Sequence, residues 1–135
     1  MSDHRSDDTS GVVIKSSPWS VVETVARLEA AIAARGMKLF AVIDHSGEAE
    51  RAGLELRDTK VVIFGSPQAG TPVMQAAPLA ALDLPLKVLV WDDAGQTQLA
   101  YTAPATLAAR HHLDGELARR LMGIEALTSA VLEEA

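Results

Sequence analysis

Between Gly53 and Pro72 the chain runs from mixed polar and apolar residues into a solid apolar segment, Val61-Val62-Ile63-Phe64, and then into a Gly/Ser/Pro loop that opens onto a helix start. No other stretch constrains the fold as tightly. An apolar run bounded by turn residues is a strand, and glycine and proline placed directly after it force the backbone to change direction. A strand-loop-helix unit is therefore written here, and the rest of the chain must be arranged around it. Thr71 before Pro72 has the look of a helix N-cap followed by proline at the first helical position, where its missing N–H costs nothing.

On either side of that unit the pattern continues. Val12-Val13-Ile14-Lys15 is a short strand stopped by Ser16-Ser17-Pro18. Ser20 with Glu23 has capping-box spacing, and Val21, Val25, Leu28 and Ile32 fall on one face of the helix that follows, with Gly36 as its stop. Met37 to Ile43 is apolar at nearly every position, as expected of a strand covered on both faces. Ser46 to Ala52 forms a short helical turn with Ala49 and Ala52 inward and Gly53 as its end. Leu54 and Leu56, alternating with Glu55 and Arg57, suggest a brief extended lead-in. Pro78 shortens or breaks the helix begun near Thr71. Leu86 to Trp91, the turn at Asp92 to Gly95 and Thr97 to Thr102 make a hairpin. Pro104 opens a further helix, Asp114 caps the last one, and Leu117, Leu121, Ile124, Leu127 or Thr128, and Val131 form its buried stripe.

The element order is β-α-β-β-α-β-β-α-α, with the short helical turn between the second and third strands. It predicts an α+β fold, a two-layer α/β sandwich whose sheet is mixed: the C-terminal β-hairpin is antiparallel, the strand-helix-strand units permit parallel neighbours, and terminal helices close the chain. Residues 1–10 hold no large apolar side chain except Met1 and read as a disordered tail before a single domain over residues 11–135. Strands apolar on both parities ask for cover on both sheet faces, which a two-layer fold does not supply. Either a homodimer or the terminal helices folding back would supply it.

Composition excludes several function classes. Cysteine is absent, so thiolate chemistry and cysteine-held metals are out, and a reducing cytoplasmic location is the expectation. With 18 acidic against 12 basic side chains the net charge is -6, and no basic cluster exceeds Arg119-Arg120, so nucleic acid is not an expected partner. The polar N-terminus is not read as a signal peptide, and no apolar run reaches the roughly 18 residues of a membrane span.

The motifs Ser17-Pro18-Trp19-Ser20, Ile43-Asp44-His45, Gly53-Leu54-Glu55-Leu56-Arg57, Phe64-Gly65-Ser66-Pro67, Ala69-Gly70-Thr71-Pro72-Val73-Met74-Gln75 and Leu82-Asp83-Leu84-Pro85-Leu86-Lys87 occur in an order that resembles the domain-of-unknown-function family numbered 302. Trp19 and Trp91 stand where tyrosine is more usual. The resemblance covers about Gly11 to Leu113. It implies a small α/β domain found chiefly in bacteria and archaea and no established activity.

Three kinds of site are open. Asp44-His45 at a strand end has the residue types of a general base held by a carboxylate, or else Asp44 caps the short helix while His45 packs at the sheet edge. Glu55, Arg57 and Lys87 are either structural ion pairs or, with His45, a receptor for a carboxylate or phosphate. The loop with Ser66, Gln68 and Thr71 precedes a helix start that favours anions, yet it lacks the lysine of a P-loop and the glycines of a dinucleotide fingerprint. Adjacent His111 and His112 diverge by about 100° on a helix and cannot chelate one ion together, so no metal site is expected and they read as a solvated helix end. No cofactor is named by the sequence. The leading reading is a homodimeric binding or accessory module for a small anionic or amphipathic ligand near Asp44, His45, Glu55, Arg57, Ser66, Gln68, Thr71 and Lys87. The alternatives are an enzyme using His45 as base and a protein-interaction module.

Overall fold

A computed structural model describes residues 11–133, and the expected tail at residues 1–10 lies outside the described residues. The strands are β1 (Val12–Ser16), β2 (Lys38–Asp44), β3 (Thr59–Gly65), β4 (Leu86–Asp93) and β5 (Gln96–Thr102). The helices are α1 (Val21–Ala34), α2 (His45–Arg51), α3 (Pro67–Ala76), α4 (Pro104–Arg110), α5 (Gly115–Arg119) and α6 (Gly123–Leu132), with a 3-10 turn at Pro78–Leu82. The α+β, two-layer expectation holds. One five-stranded sheet has the order β1-β5-β4-β3-β2.

Every pairing in that sheet is antiparallel, so the expected mixed sheet is corrected. The physical reason is that α2 and α3 leave the chain at the end of the sheet where the preceding strand finished, so β3 and β4 run back beside their predecessors, while α1 crosses from one edge of the sheet to the other and makes no neighbouring pair. At the β4–β5 hairpin Ala94 and Gly95 have φ of 53° and 96°, the two left-handed positions of a turn that matches strand twist. The Asp92 carboxylate accepts from the Gly95 N–H at 3.0 Å and fixes it.

The core lies on one sheet face only. Val62 and Phe64 of β3, Val88 and Val90 of β4 and Leu99 of β5 meet Leu28 and Ile32 of α1 and Ile124 and Leu127 of α6, all essentially excluded from solvent. Ser20 caps α1 by accepting from Glu23 N–H at 3.0 Å, as its spacing demands. Trp19 Nε1 donates to the Val131 carbonyl at 3.1 Å and ties α6 beside α1. Helices α1 and α6 thus share one side of the sheet, and the alternative in which terminal helices return over the other face is excluded.

Several local expectations are corrected. The Met37–Ile43 run is not covered on both faces: β2 is an edge strand, and Leu39, Phe40 and Ile43 are 38%, 47% and 38% exposed. Ala52 is exposed and follows α2, while Leu54 and Leu56 sit in irregular chain and face solvent. The expected last helix is two, α5 and α6, although Asp114 does cap the first, accepting from Leu117 N–H at 2.9 Å. Helix α3 starts at Pro67 with Ser66 as N-cap, not at Thr71, so Pro72 lies inside it. Pro67 supplies the same free first position that Pro72 had offered, five residues earlier.

Candidate functional site

The sequence-proposed site residues fall into separate places. Asp44 is the N-cap of α2: its carboxylate accepts from Ser46 Oγ at 2.7 Å and from Gly47 N–H at 2.9 Å. Lys60 Nζ lies 3.5 Å from Asp44 and 2.7 Å from Asp58. The Ser46 hydroxyl, then the Gly47 amide, hold the Asp44 carboxyl below its ordinary range, and the hydrogen bond from Lys60 to Asp58 raises the ammonium. These residues, with Glu50, Glu55 and Asp58, line an open groove of ≈ 440 Å³. The groove is mostly acidic, and its one ammonium is already paired.

His45 is exposed on the first turn of α2 and is not held by Asp44, whose carboxylate is occupied as above. Glu55 and Arg57 are exposed, with no ion pair among the described residues, which corrects the expectation of paired charges. They are not in a strand: the chain from 54 to 58 is irregular, and water solvates them. Lys87 is also exposed, donating weakly to the Pro85 carbonyl at 3.4 Å. It stands on the sheet face without helices, beside Val61 and Leu89. His45, Glu55 and Lys87 therefore do not converge.

His111 departs from the solvated helix end read from the sequence. Its side chain is only 9% exposed, and Nε2 lies 2.6 Å from Asp83, which Arg110 also reaches at 3.0 Å. The bond to His111, followed by that to Arg110, holds the Asp83 carboxyl below its ordinary 3.8. The arrangement clamps the C-terminal end of α4 to the end of the 3-10 turn. No group of three or more metal-competent side chains occurs among the described residues.

The Gly65–Thr71 loop does build a concavity. A cavity of ≈ 240 Å³ lies between the end of β3, α3 and the start of β4, lined by Phe40, Gly65, Ser66, Met74, Leu84, Pro85 and Leu121, with Thr71 and Arg120 also contributing. Its floor is continuous with a small second core of Val73, Ala80, Leu107 and Leu121, packed with Leu84 and Leu86. The wall is therefore backed by packed side chains. Gly70 faces it, and a Cβ there would meet only Met74 Cε at 3.8 Å and Leu84 Cδ1 at 3.9 Å.

Arg120 enters this site because of Pro72. In a helix the N–H of residue 72 would donate to the carbonyl of residue 68, and proline has no such N–H. The Gln68 carbonyl accepts instead from Arg120 Nη1 at 3.3 Å. Arg120 Nη2 stands 3.7 Å from Glu116, whose other oxygen is 3.2 Å from Arg119. Of the residues singled out from sequence, Ser66 and Thr71 line this cavity and Gln68 shapes it through its carbonyl; its side chain is exposed. Phe40, Met74, Leu84 and Arg120 were missed. The one signal for Arg120 was the internal proline, which leaves an acceptor unpaired.

Comparison with known proteins agrees with this architecture. A crystal structure of an uncharacterized conserved protein from Bacillus stearothermophilus superposes with a TM-score of 0.76 at 21% identity, covering 90% of this chain and 95% of that one. At that identity the likeness concerns the fold. Proteins named fluoride-specific ion channel FluC 1 from Brucella suis and Brucella abortus are each 44% identical over 105 residues. That stretch is 77% of this chain but only 41% and 39% of those proteins, so the chain spans well under half of their length. No helix among the described residues is long and apolar enough to cross a membrane. The profile of the domain of unknown function DUF302 matches residues 13–131, and the chain belongs to that family.

Proposed function

We propose that the domain binds a small amphipathic molecule whose apolar body occupies the cavity beneath the Gly65–Thr71 loop. The observation that carries this reading is the cavity's make-up: an apolar, packed wall with a few polar groups, Ser66, Thr71 and Arg120, along it. Ligand sites of small molecules have that composition, apolar for affinity and sparsely polar for orientation. Met74 adds an adaptable wall, since an unbranched thioether repacks readily around different shapes. On this reading Ser66, Gln68 and Thr71 remain site residues, while Asp44, His45, Glu55, Arg57 and Lys87 do not contribute. A general-base role for His45 draws no support from its exposed position away from the cavity and from the engaged Asp44 carboxylate.

The test uses N-phenyl-1-naphthylamine, an uncharged fluorophore that brightens in apolar sites. Saturable, equimolar enhancement by the wild type, lost in Gly70→Leu, whose side chain would fill the cavity, is the expected result. Enhancement that is absent, or equal in both proteins, would sink the reading.

A second reading, an accessory module that works as a cytoplasmic homodimer, is favoured by the uncovered sheet face. Val61, Ile63 and Leu89 are only partly buried there, and Val12 and Ile43 are 40% and 38% exposed. Five strands spaced about 4.8 Å apart and roughly 20 Å long offer about 480 Å² of sheet face. Two such faces reach the neighbourhood of the ~1,000 Å² that marks a specific interface. A second copy is the occupant proposed, because the uncovered face spans all five strands and is centred on β4, so a two-fold axis over Leu89 covers it symmetrically. The Brucella proteins, which carry a matching stretch inside a longer chain, suit an accessory role. Sedimentation of the wild type as a dimer that Leu89→Lys converts to a folded monomer is expected. A wild type that is monomeric at every concentration would overturn it.

A further inference from the structure

Resting on the cavity reading above, we infer that Arg120 is the specificity residue of the site and that the ligand class is an aliphatic carboxylate, with the acyl chain in the cavity and the carboxylate on the guanidinium. Arg120 is placed for this by two independent contacts that leave most of it free. Its five N–H donors have two described partners, a backbone carbonyl at 3.3 Å and a carboxylate at 3.7 Å. The second of these is easily exchanged. Glu116 has Arg119 at 3.2 Å as a closer partner, so turning Arg120 toward a ligand does not strand a charge. The Gln68 contact, which takes up the carbonyl that Pro72 leaves free, holds the guanidinium against α3 at the solvent-exposed rim of the cavity.

The choice of a monoanionic carboxylate follows from the charges nearby. A planar guanidinium matches a carboxylate bidentately, and one such pair satisfies the head group. A phosphate dianion would need more positive charge than Arg120 provides, and Glu116, close behind, would repel it. The other polar groups on the cavity, the Ser66 and Thr71 hydroxyls, are neutral. Ser66 Oγ is 3.3 Å from Gln68 Oε1, an orientation it can abandon to donate to an incoming oxygen. Phe40, Met74, Leu84 and Leu121 offer no buried polar partner, which suits an unsubstituted chain.

Displacement of N-phenyl-1-naphthylamine by decanoate, decanol and decyl phosphate, at one pH near neutrality and in one buffer, tests the assignment on the full chain. Decanoate should displace the probe roughly tenfold to a hundredfold more tightly than decanol, the range of a charge-assisted hydrogen bond. In Arg120→Gln that ratio should fall close to unity with decanol unchanged, and Arg120→Lys should restore part of it. A merely structural role for Arg120 would weaken decanol and decanoate together. Equal binding of decanoate and decanol by the wild type, or an unchanged ratio in Arg120→Gln, would overturn the head-group assignment while leaving the apolar cavity intact. Tighter binding of decyl phosphate than of decanoate would overturn the carboxylate class. Failure of all three to displace the probe, or of the probe to bind, would overturn the cavity reading and this inference with it.

Discussion

Gly70→Ala should stabilise the protein, and the structure sets the size of the effect. Gly70 is the fourth residue of α3 and is not among the glycines with positive φ, so alanine fits its backbone without strain. The new methyl would sit at ordinary contact distance from Met74 Cε and Leu84 Cδ1, 3.8 and 3.9 Å. Each such contact is worth only about 0.1–0.2 kcal/mol. The larger effect is the loss of glycine's freedom in the unfolded chain, about 0.4–1 kcal/mol at a compatible helical site. For 135 residues, an unfolding entropy of about 2.1 cal/mol/K per residue turns this into a rise in Tm of roughly 1.5–3.5 °C. Calorimetry, paired with urea melts whose m-value should not change, measures it. Gly11→Ala is the control of opposite sign: φ is +83° and the added Cβ would lie 2.8 Å from Thr106 Oγ1, so that variant should melt lower. A fall in Tm for Gly70→Ala would refute the argument, because it would mean that residue 70 is not helical or that the space beside it is filled.

Two further outcomes depend on protons. Asp83→Asn should be less stable than the wild type at neutral pH. Because the folded carboxyl is lowered from its ordinary 3.8, the difference should persist above that value and vanish as pH falls through the folded value; urea melts between neutrality and strong acid check this, and a gap independent of pH would count against the Asp83–His111 clamp. Tyr101, the sole tyrosine, has its phenol pushed up to about 12 by burial. Ultraviolet titration should therefore show no phenolate until about 12, and stability should decline from about pH 10, where the unfolded phenol ionises, toward that value. Ionisation near pH 10 in the folded protein would show Tyr101 to be accessible to water.

Much of this fold was legible locally. The Ser20 cap and the stripe Val21, Val25, Leu28 and Ile32 depend on contacts within one helix, so spacing alone locates the helix and its buried face. The β4–β5 turn is equally local, since Ala94-Gly95 must adopt left-handed angles wherever the hairpin lies. The family motifs likewise needed only residue order. Apolar content was a poorer guide to burial: the run from Met37 to Ile43 has the composition of a central strand, yet β2 is at the edge, because strand order is decided by which neighbours compete for pairing and not by the strand's own residues.

What the chain determined by itself is a set of elements, their caps and turns, and the Gly65–Thr71 loop as a place where the backbone must turn. Only the tertiary structure decided that every strand is antiparallel, that α6 lies beside α1 and leaves a sheet face bare, and that His45, Glu55 and Lys87 are held apart. It also brought Arg120 to Gln68 across 52 residues of sequence. Short-range order follows from steric and hydrogen-bonding preferences that act between near neighbours, whereas the assembly of a site depends on packing between elements, and no spacing rule reaches that far.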